Sequence, residues 1–403
     1  MKWEKVKLGE LYEVHNGLSK AGKFFGEGYP FLTFSTVFNN YFIPKQITDL
    51  VQSTEKEQES YSIRRGDVFV TRTSETSDEL GMSCVALKDY PRATYNGFTK
   101  RMRPITNRVF PEYIGYYMRL PSFRGEFRAF STMTTRASLR NEDLLGLEVK
   151  LPSIEIQKQI AGILSVYDDL IENNQKQIKL LEEAAQRLYK EWFVDLRFPG
   201  HENTKIVDGI PEGWNICPFS SKVDIMSGGT PKTSIPDYYN GRIPFYTPKD
   251  SDGAFFAYKT QINITEGGLK NCNSRLYPPK TVIITARGTV GKTTILAVPM
   301  AMNQSCYALK MKENDAPYYL FFALNNEIKA LQTMANGGVF NTIIGKTFDS
   351  INIQIPKDPL IYGFEKTVRP FMEQIKNKLQ ANSKIVETRN RLLPKLMSGE
   401  VEV

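Results

Sequence analysis

The feature that most constrains this chain is that its landmarks occur twice, in the same order. Trp3 and Trp214 each open a segment, and Leu8 answers to Phe219, Val14 to Ile225 and Gly17 to Gly228, all at an offset of 211. Pro30-Phe31-Leu32-Thr33 then matches Pro244-Phe245-Tyr246-Thr247 at an offset of 214. Asp67-Val68-Phe69-Val70-Thr71 matches Thr281-Val282-Ile283-Ile284-Thr285 at that same offset. Pro111-Glu112-Tyr113-Ile114 looks like Pro317-Tyr318-Tyr319-Leu320, and Leu151-Pro152 answers to Ile355-Pro356 at an offset of 204. The offset drifts as loop insertions and deletions make it drift, while the order never changes. A chain of 403 residues suits two or three domains, and this one reads as two halves of one design.

Each half has the same internal plan. A mixed stretch of about 150 residues comes first, with β-rich runs such as Val68-Phe69-Val70 and Val282-Ile283-Ile284. Gly, Pro and Asn punctuate it, and a short helical segment is expected near Tyr113 to Leu120 or Tyr318 to Leu324. A Leu-Pro or Ile-Pro pair then ends the stretch, because the residue before proline is pushed toward extended geometry.

A long helical pattern follows each pair. Ile160, Leu164, Tyr167, Ile171, Asn174, Ile178, Leu181, Ala185, Leu188 and Trp192 recur at alternating steps of four and three, with no glycine or proline after Gly162. That spacing is a coiled-coil seam. Shifting it by 204 gives Phe364, Val368, Phe371, Ile375, Lys378, Asn382, Ile385, Arg389, Leu392 and Leu396. The expected pairing residues are therefore Ile160, Leu164, Ile171, Ile178, Leu181 and Leu188 against Phe371, Ile375, Ile385 and Leu392. Asn174, Lys378, Asn382 and Arg389 are polar seam positions of the kind that fix register, and Pro370 should kink the second helix or mark its start. The simplest fold is a mixed α/β (α+β) chain of two pseudo-repeated domains whose long helices pair antiparallel, closing a pseudo-symmetric ring. The alternative is two amphipathic helices, each packed on its own domain. At 1.5 Å per residue a helix of this length, roughly 55 to 60 Å, would serve as a spacer.

Composition narrows the partners. The net charge is +8, so an anionic partner is plausible. Residues 88–140 hold eleven basic groups against three acidic ones, mostly Arg and interleaved with Tyr and Phe, as a phosphate-tracking surface would be. A solvated Arg-rich face is the bland reading. Both halves are basic while residues 151–199 are not, which favours nucleic acid. Four cysteines without a CxxC and two histidines leave no zinc ribbon, make a disulfide framework unexpected and fit a reducing cytosol. No apolar run approaches a membrane span and Met1 to Val14 lacks a signal-type apolar core, so a cytoplasmic chain with no membrane role is expected.

The chemistry search is mostly negative. Ala286-Arg287-Gly288-Thr289-Val290-Gly291-Lys292-Thr293 satisfies the loose form of a phosphate-binding loop. Such a loop must open a helix, whereas Thr294-Ile295-Leu296-Ala297-Val298-Pro299 reads as a strand and then a break. The better reading is a Gly-rich hairpin that carries Arg287 and Lys292 to a surface. No nuclease spacing follows Pro236-Asp237, no base-methylating Asn-Pro-Pro-aromatic loop exists, and no nucleophile triad is visible. The chain reads as non-catalytic, with no metal site and no cofactor of its own.

Two variable αβ segments, each closed by a Leu-Pro or Ile-Pro and a long helix, resemble the specificity subunit of type I restriction–modification systems. Leu188-Tyr189-Lys190-Glu191-Trp192-Phe193-Val194-Asp195 and Arg391-Leu392-Leu393-Pro394-Lys395-Leu396-Met397-Ser398-Gly399-Glu400 look like the family's conserved-region endings. The match covers essentially the whole chain. The resemblance implies target recognition domains at 1–152 and 197–356, with spacer helices at 153–196 and 357–403. Each recognition domain would read one half of a bipartite duplex DNA site. The helices would dock two methyltransferase subunits that bind S-adenosylmethionine, with a restriction subunit using ATP and Mg. Polar groups just past matched strands are the candidate DNA contacts: Arg72 and Thr73 against Arg287 and Thr289, and Asn96 and Lys100 against Asn303 and Gln304. Arg101, Arg136, Lys249 and Lys292 are further candidates, and Tyr189, Trp192 and Phe193 are candidates for partner docking.

Rival readings are the specificity chain of a related bipartite type II system, a nucleotide-binding enzyme built on residues 286–293, and a coiled-coil scaffold with no DNA role. The enzyme would hydrolyse ATP through Lys292, and the scaffold would show no salt-dependent affinity for duplex DNA.

Overall fold

A computed structural model of the protein describes residues 3–74, 80–129, 137–334 and 343–403. The chain divides into two units: unit 1 is Met1–Leu170 with Ile385–Val403, and unit 2 is Ile171–Lys384.

Unit 1 begins with β1 (Glu4–Lys7), α1 (Leu8–Leu11), β2 (Tyr12–Asn16), β3 (Phe25–Leu32), α2 (Phe34–Asn39) and β4 (Leu50–Val51). It continues through α3 (Glu55–Ser60), β5 (Val68–Thr71), β6 (Thr73–Ser74), β7 (Ser83–Val85), β8 (Thr94–Tyr95) and β9 (Thr99–Pro104). Then come α4 (Pro111–Tyr117), α5 (Pro121–Ala129), β10 (Ala137–Ser138), α6 (Asn141–Gly146) and β11 (Glu148–Leu151). The long helix α7 (Ile154–Tyr189) starts directly after Leu151-Pro152. A four-stranded sheet of order β2-β9-β5-β7 and a three-stranded sheet of order β4-β3-β8 carry the unit, and β1 pairs with β11.

Unit 2 opens on a small hairpin, β12 (Ile206–Val207) and β13 (Ile210–Pro211), and then repeats the plan. It runs β14 (Asn215–Pro218), α8 (Phe219–Lys222), β15 (Val223–Ser227), β16 (Tyr239–Tyr246), β17 (Phe256–Ala257), β18 (Asn263–Ile264) and α9 (Glu266–Lys270). After these come β19 (Val282–Thr285), β20 (Thr293–Leu296), β21 (Ala301–Met302), β22 (Cys306–Met311), α10 (Pro317–Met334) and β23 (Asn352–Ile355). The sheet orders are β15-β22-β19-β20-β17, β18-β16-β21 and β14-β23, so every pairing of unit 1 but the short β6–β10 bridge has its counterpart. The last helix is α11 (Asp358–Ser398).

The duplication holds at the level of single hydrogen bonds. The Leu8 N–H donates to the Leu147 carbonyl at 2.8 Å, and the Phe219 N–H to the Ile351 carbonyl at 2.8 Å. The Asn96 N–H reaches the Leu32 carbonyl at 3.0 Å, and the Asn303 N–H the Tyr246 carbonyl at 3.0 Å. Gly17 and Gly228 mark the same close approach. A Cβ on Gly17 would lie 2.1 Å from the Asn96 carbonyl oxygen, and one on Gly228 2.2 Å from that of Asn303.

Both long helices are shared between the units. In unit 1, Ile160 and Leu164 of α7 join Leu393, Leu396 and Met397 of α11 in one core, and Arg389 pairs with Asp168. In unit 2, Ile178, Ala185 and Tyr189 join Ile375, Val368 and Phe364, and the Asn174 side chain donates to Asn382 at 2.8 Å. Partner numbers fall along α11 as they rise along α7, so the helices pair antiparallel. Polar pairs at Asn174–Asn382 and Asp168–Arg389 sit on the seam and exclude a register shifted by a residue or two, which would strand buried polar groups. Ile171, Leu181, Leu188 and Ile385 are half-buried on the seam side. Phe371 and Leu392 are also half-buried, packed against the cores that hold Met372 and Leu393. Pro370 does not mark the helix start: α11 begins at Asp358 and runs through it.

Unit 2 also buries one carboxylate. Glu365 of α11 accepts the N–H groups of Tyr318 and Tyr319, both at 2.8 Å, at the start of α10. Burial pushes its pKa up to about 7, against the two N–H bonds and the nearby Arg369, which favour the charged form, while Asp315 adds to the rise.

Two outcomes follow from these contacts. Gly17→Ala and Gly228→Ala should each destabilise their unit by about 1–3 kcal/mol, since backbone has to move to admit the methyl group; urea unfolding midpoints measure this. The folded chain keeps a proton on Glu365 that an unfolded glutamate has already lost. Stability should therefore fall as pH rises from the ordinary value of 4.5 toward 7, and Glu365→Gln, which keeps an acceptor without the charge, should flatten that window.

Candidate nucleic-acid interface

In unit 2 the ends of β15 and β19 and the starts of β20 and β22 come together at one end of the sheet. Residues 286–292 join β19 to β20 as a tight antiparallel hairpin, with Gly288 and Gly291 both at φ +82°. The Ala286 N–H donates to the Ser305 carbonyl at 2.7 Å, which ties the hairpin to the turn before β22. The Thr289 hydroxyl donates to the Pro248 carbonyl and Lys292 Nζ to the Ser251 carbonyl, both at 3.3 Å. Lys249, Arg287, Thr289 and Lys292 are thus gathered around one loop pair, and the three cations are exposed. Gln304 is exposed beside them and accepts the Thr230 hydroxyl. Because the glycine-rich turn opens a strand, its N–H groups do not form the helix N-terminus that cradles a nucleotide phosphate, and residues 286–293 lose that reading.

The same end of unit 1 is built on the same frame. The Arg72 N–H donates to the Phe98 carbonyl at 3.0 Å, as Ala286 does to Ser305. The Leu139 N–H returns to the Arg72 carbonyl at 2.9 Å, as Ile343 returns to Ala286 at 2.9 Å. Asn96 and Asn303 each close their turn with Oδ1, accepting the N–H two residues on at 2.7 and 3.0 Å. Their side chains are therefore committed to the loop. The bonds also correct the sequence pairing: Arg72 matches Ala286, Thr73 matches Arg287, and Lys100 matches Tyr307 through their β2 and β15 partners, Asn16 and Ser227.

Several candidates of unit 1 are occupied inside it. Lys100 is buried and donates to Asn141, and burial, with the charge of Arg72, lowers its pKa. Arg101 is buried, donates to the Ser62 carbonyl at 2.8 Å and lies over the Tyr95 ring. Arg72 is half-buried, with Nη1 3.5 Å from Asn16 Oδ1. Thr73 lies in β6, opposite Ser138, and its side chain is outside the described residues, as is Arg136.

Most of the described cations of the run 88–140 are engaged by the protein itself, some in its interior and some at its surface. Arg103 pairs with the fully buried Asp67 at 2.6 Å, Arg108 with Glu4 at 2.6 Å, and Arg119 holds the Val37, Asn40 and Ser83 carbonyls. Lys88 donates to Lys45, Arg92 to Gln58 and Arg124 to Leu80. Among the described side chains of the run, Arg140 alone is exposed with no such partner. Composition could not separate these roles, because a guanidinium satisfies carbonyls as readily as phosphates.

The expected docking patch is also corrected. Tyr189 and Phe193 are buried and Trp192 half-buried, in an aromatic core with Tyr319, Phe322 and Phe364. Trp192 and Phe193 lie in the π-helical turn Lys190–Val194 that ends α7. Exposed apolar groups lie instead on α7 at Ile163, Val166 and Leu170. All four cysteines are free. No helix among the described residues is long and apolar enough to cross a membrane.

The model of the type I restriction modification DNA specificity domain matches residues 1–183 and again 211–385. The chain is 26% identical, over all of its length and 94% of the relative, to the type I restriction enzyme MjaIX specificity subunit of Methanocaldococcus jannaschii. It is 24% identical to the type I restriction enzyme HindI specificity subunit of Haemophilus influenzae, covering 99% of both. A crystal structure of a type I restriction–modification S subunit from M. genitalium shares the fold, with a TM-score of 0.57 at 16% identity over 98% of this chain and 96% of that one. The duplicated sheets, the paired helices and a family match on both halves lead to one conclusion: the chain belongs to the type I restriction–modification DNA specificity family.

Proposed function

We propose that this chain is the subunit that reads a bipartite duplex DNA target, one half-site per unit, for a type I restriction–modification complex. The observation that carries the reading is a single backbone frame built twice with different side chains at the same sheet end. Thr73 stands in unit 1 where Arg287 stands in unit 2. A reader of two unlike half-sites needs this arrangement: common geometry to meet the duplex, and different groups to meet the bases. Lys249, Arg287 and Lys292 supply the phosphate contacts of unit 2, and the exposed Arg140 supplies one in unit 1.

The methyltransferase subunits, which bring S-adenosylmethionine, dock on the outer face of the helix pair, and the restriction subunits, with ATP and Mg, join through them. Ile163, Val166 and Leu170 support this site, because they form an exposed apolar stripe at helical spacing on the flank of α7 beside its buried Ile160 and Leu164.

Duplex affinity should fall steeply with salt. Arg287→Ala and Lys249→Ala should each reduce the log–log salt slope by about 0.9 without changing the melting temperature, since both side chains are exposed. Filter binding between low and moderate salt measures it, and an unchanged slope removes those residues from the phosphate contacts. The decisive test is methylome sequencing of a host carrying the chain with its methyltransferase, against the same strain lacking only this chain. The expected result is a split motif that vanishes with the chain, one block of which changes when residues 1–150 alone are replaced. Methylation that persists without the chain overturns the reading.

A further inference from the structure

The matched hydrogen bonds of the two frames leave some positions free to vary while the backbone stays fixed. The turn before β9 and the turn before β22 are the clearest case. Asn96 and Asn303 close them identically, and the residue two places on has its N–H on that Asn side chain and its carbonyl on the incoming strand. In unit 1 this doubly anchored residue is Phe98; in unit 2 it is Ser305. Phe98 is 58% exposed, although its backbone is among the most constrained at that sheet end. A Cβ on Gly97 beside it would sit 2.2 Å from the Ser19 hydroxyl oxygen and 3.2 Å from the Leu18 carbonyl oxygen, so Ser19 would have to turn away.

A large aromatic ring held out into water on a rigid turn gains nothing for the fold. Burying it would be worth roughly 1.5–3 kcal/mol, and unit 1 leaves most of that unrealised. The ring is not short of a core to join, since Tyr95, three residues earlier, is fully buried against Phe69. A side chain presented this way is pre-organised for a ligand: the backbone is already fixed and only two side-chain torsions remain to be ordered. The neighbouring positions change in the same way. Arg140 of unit 1 follows Leu139 as Ile344 of unit 2 follows Ile343, and both are exposed. The two units thus present an apolar and a polar group at this end, in exchanged places.

We propose that Phe98 is a specificity-determining residue, making an apolar contact to a base in the half-site read by unit 1, where Ser305 offers unit 2 a hydroxyl instead. The inference rests on the reading of the chain as a DNA specificity subunit. Two base features fit an exposed ring: the methyl group of thymine at the major-groove edge, and the face of a base at an opened step.

The test uses the full chain with its methyltransferase partners and selection of bound duplexes from a randomised library. Phe98→Ser should relax one or two adjacent positions of the block assigned to unit 1 and weaken binding of the preferred duplex about tenfold, with the other block and the salt slope unchanged. Phe98→Leu should retain most of the preference. Ile105→Ser, which removes an equally exposed apolar group at the opposite end of β9, is the control and should change nothing. Uracil in place of thymine at the relaxed position should reproduce the loss if the methyl group is the contact. A rise in 2-aminopurine fluorescence on binding, absent with Phe98→Ser, marks the opened step. A Phe98→Ser protein that is folded, binds within twofold of the parent and selects the same block overturns the inference while leaving the specificity-subunit reading intact. Absence of sequence preference in the parent protein would overturn that reading itself.

Discussion

Leu164 of α7 is completely buried in a core that also contains Leu393 and Leu396 of α11, and the rest of the molecule depends on that shared burial. A fully buried leucine contributes roughly 1.5–3 kcal/mol, and the seam supplies many such side chains. Neither helix could stay straight and apolar-faced in water alone. The polar pairs on the seam add little net stability, yet each makes a shifted register costly by leaving a buried amide or carboxylate without its partner.

Much of this was legible in the sequence because burial repeats with a period. The steps of three and four along α7 are a one-dimensional trace of the seam, and the duplicated Val68-Phe69-Val70 and Val282-Ile283-Ile284 runs mark the central strands of the two sheets. The stripe on α11 was legible too, although only packing decides that Met372 is more deeply buried than its apolar neighbour Phe371. Pro370 signals a break in the sequence for a related reason. A proline removes one hydrogen bond and strains the preceding turn, and here the packing of α11 on both sides of it outweighs that cost.

The interface was less legible, because charge in a sequence carries no address. Arg103 and Arg119 look like the same cation on paper, and both are spent on internal acceptors. Asn96 and Asn303 were found for a sound reason, their equivalent placement past matched strands, yet their oxygens hold the turns together. Alignment by residue type matched Arg72 to Arg287, whereas hydrogen-bond register matches Arg72 to Ala286. A frame shift of one residue changes which side chains are compared, and no periodic signal survives in a loop to prevent it. Phe98 carries no such signal in the sequence, because an aromatic residue beside a strand is ordinarily core.

The division of unit 1 between Met1–Leu170 and Ile385–Val403 has a bearing on how the protein comes into being. On the ribosome, the first αβ module emerges early and with most of its strands in hand. The surface that Leu393, Leu396 and Met397 will cover must wait until the whole of unit 2 has been synthesised. Throughout that interval the nascent chain displays an apolar stripe on the first turns of α7 while a near-copy of the same module is being made behind it. Unit 1 can therefore close its core only after the last turns of α11 have been made, so its completion is tied to that of unit 2.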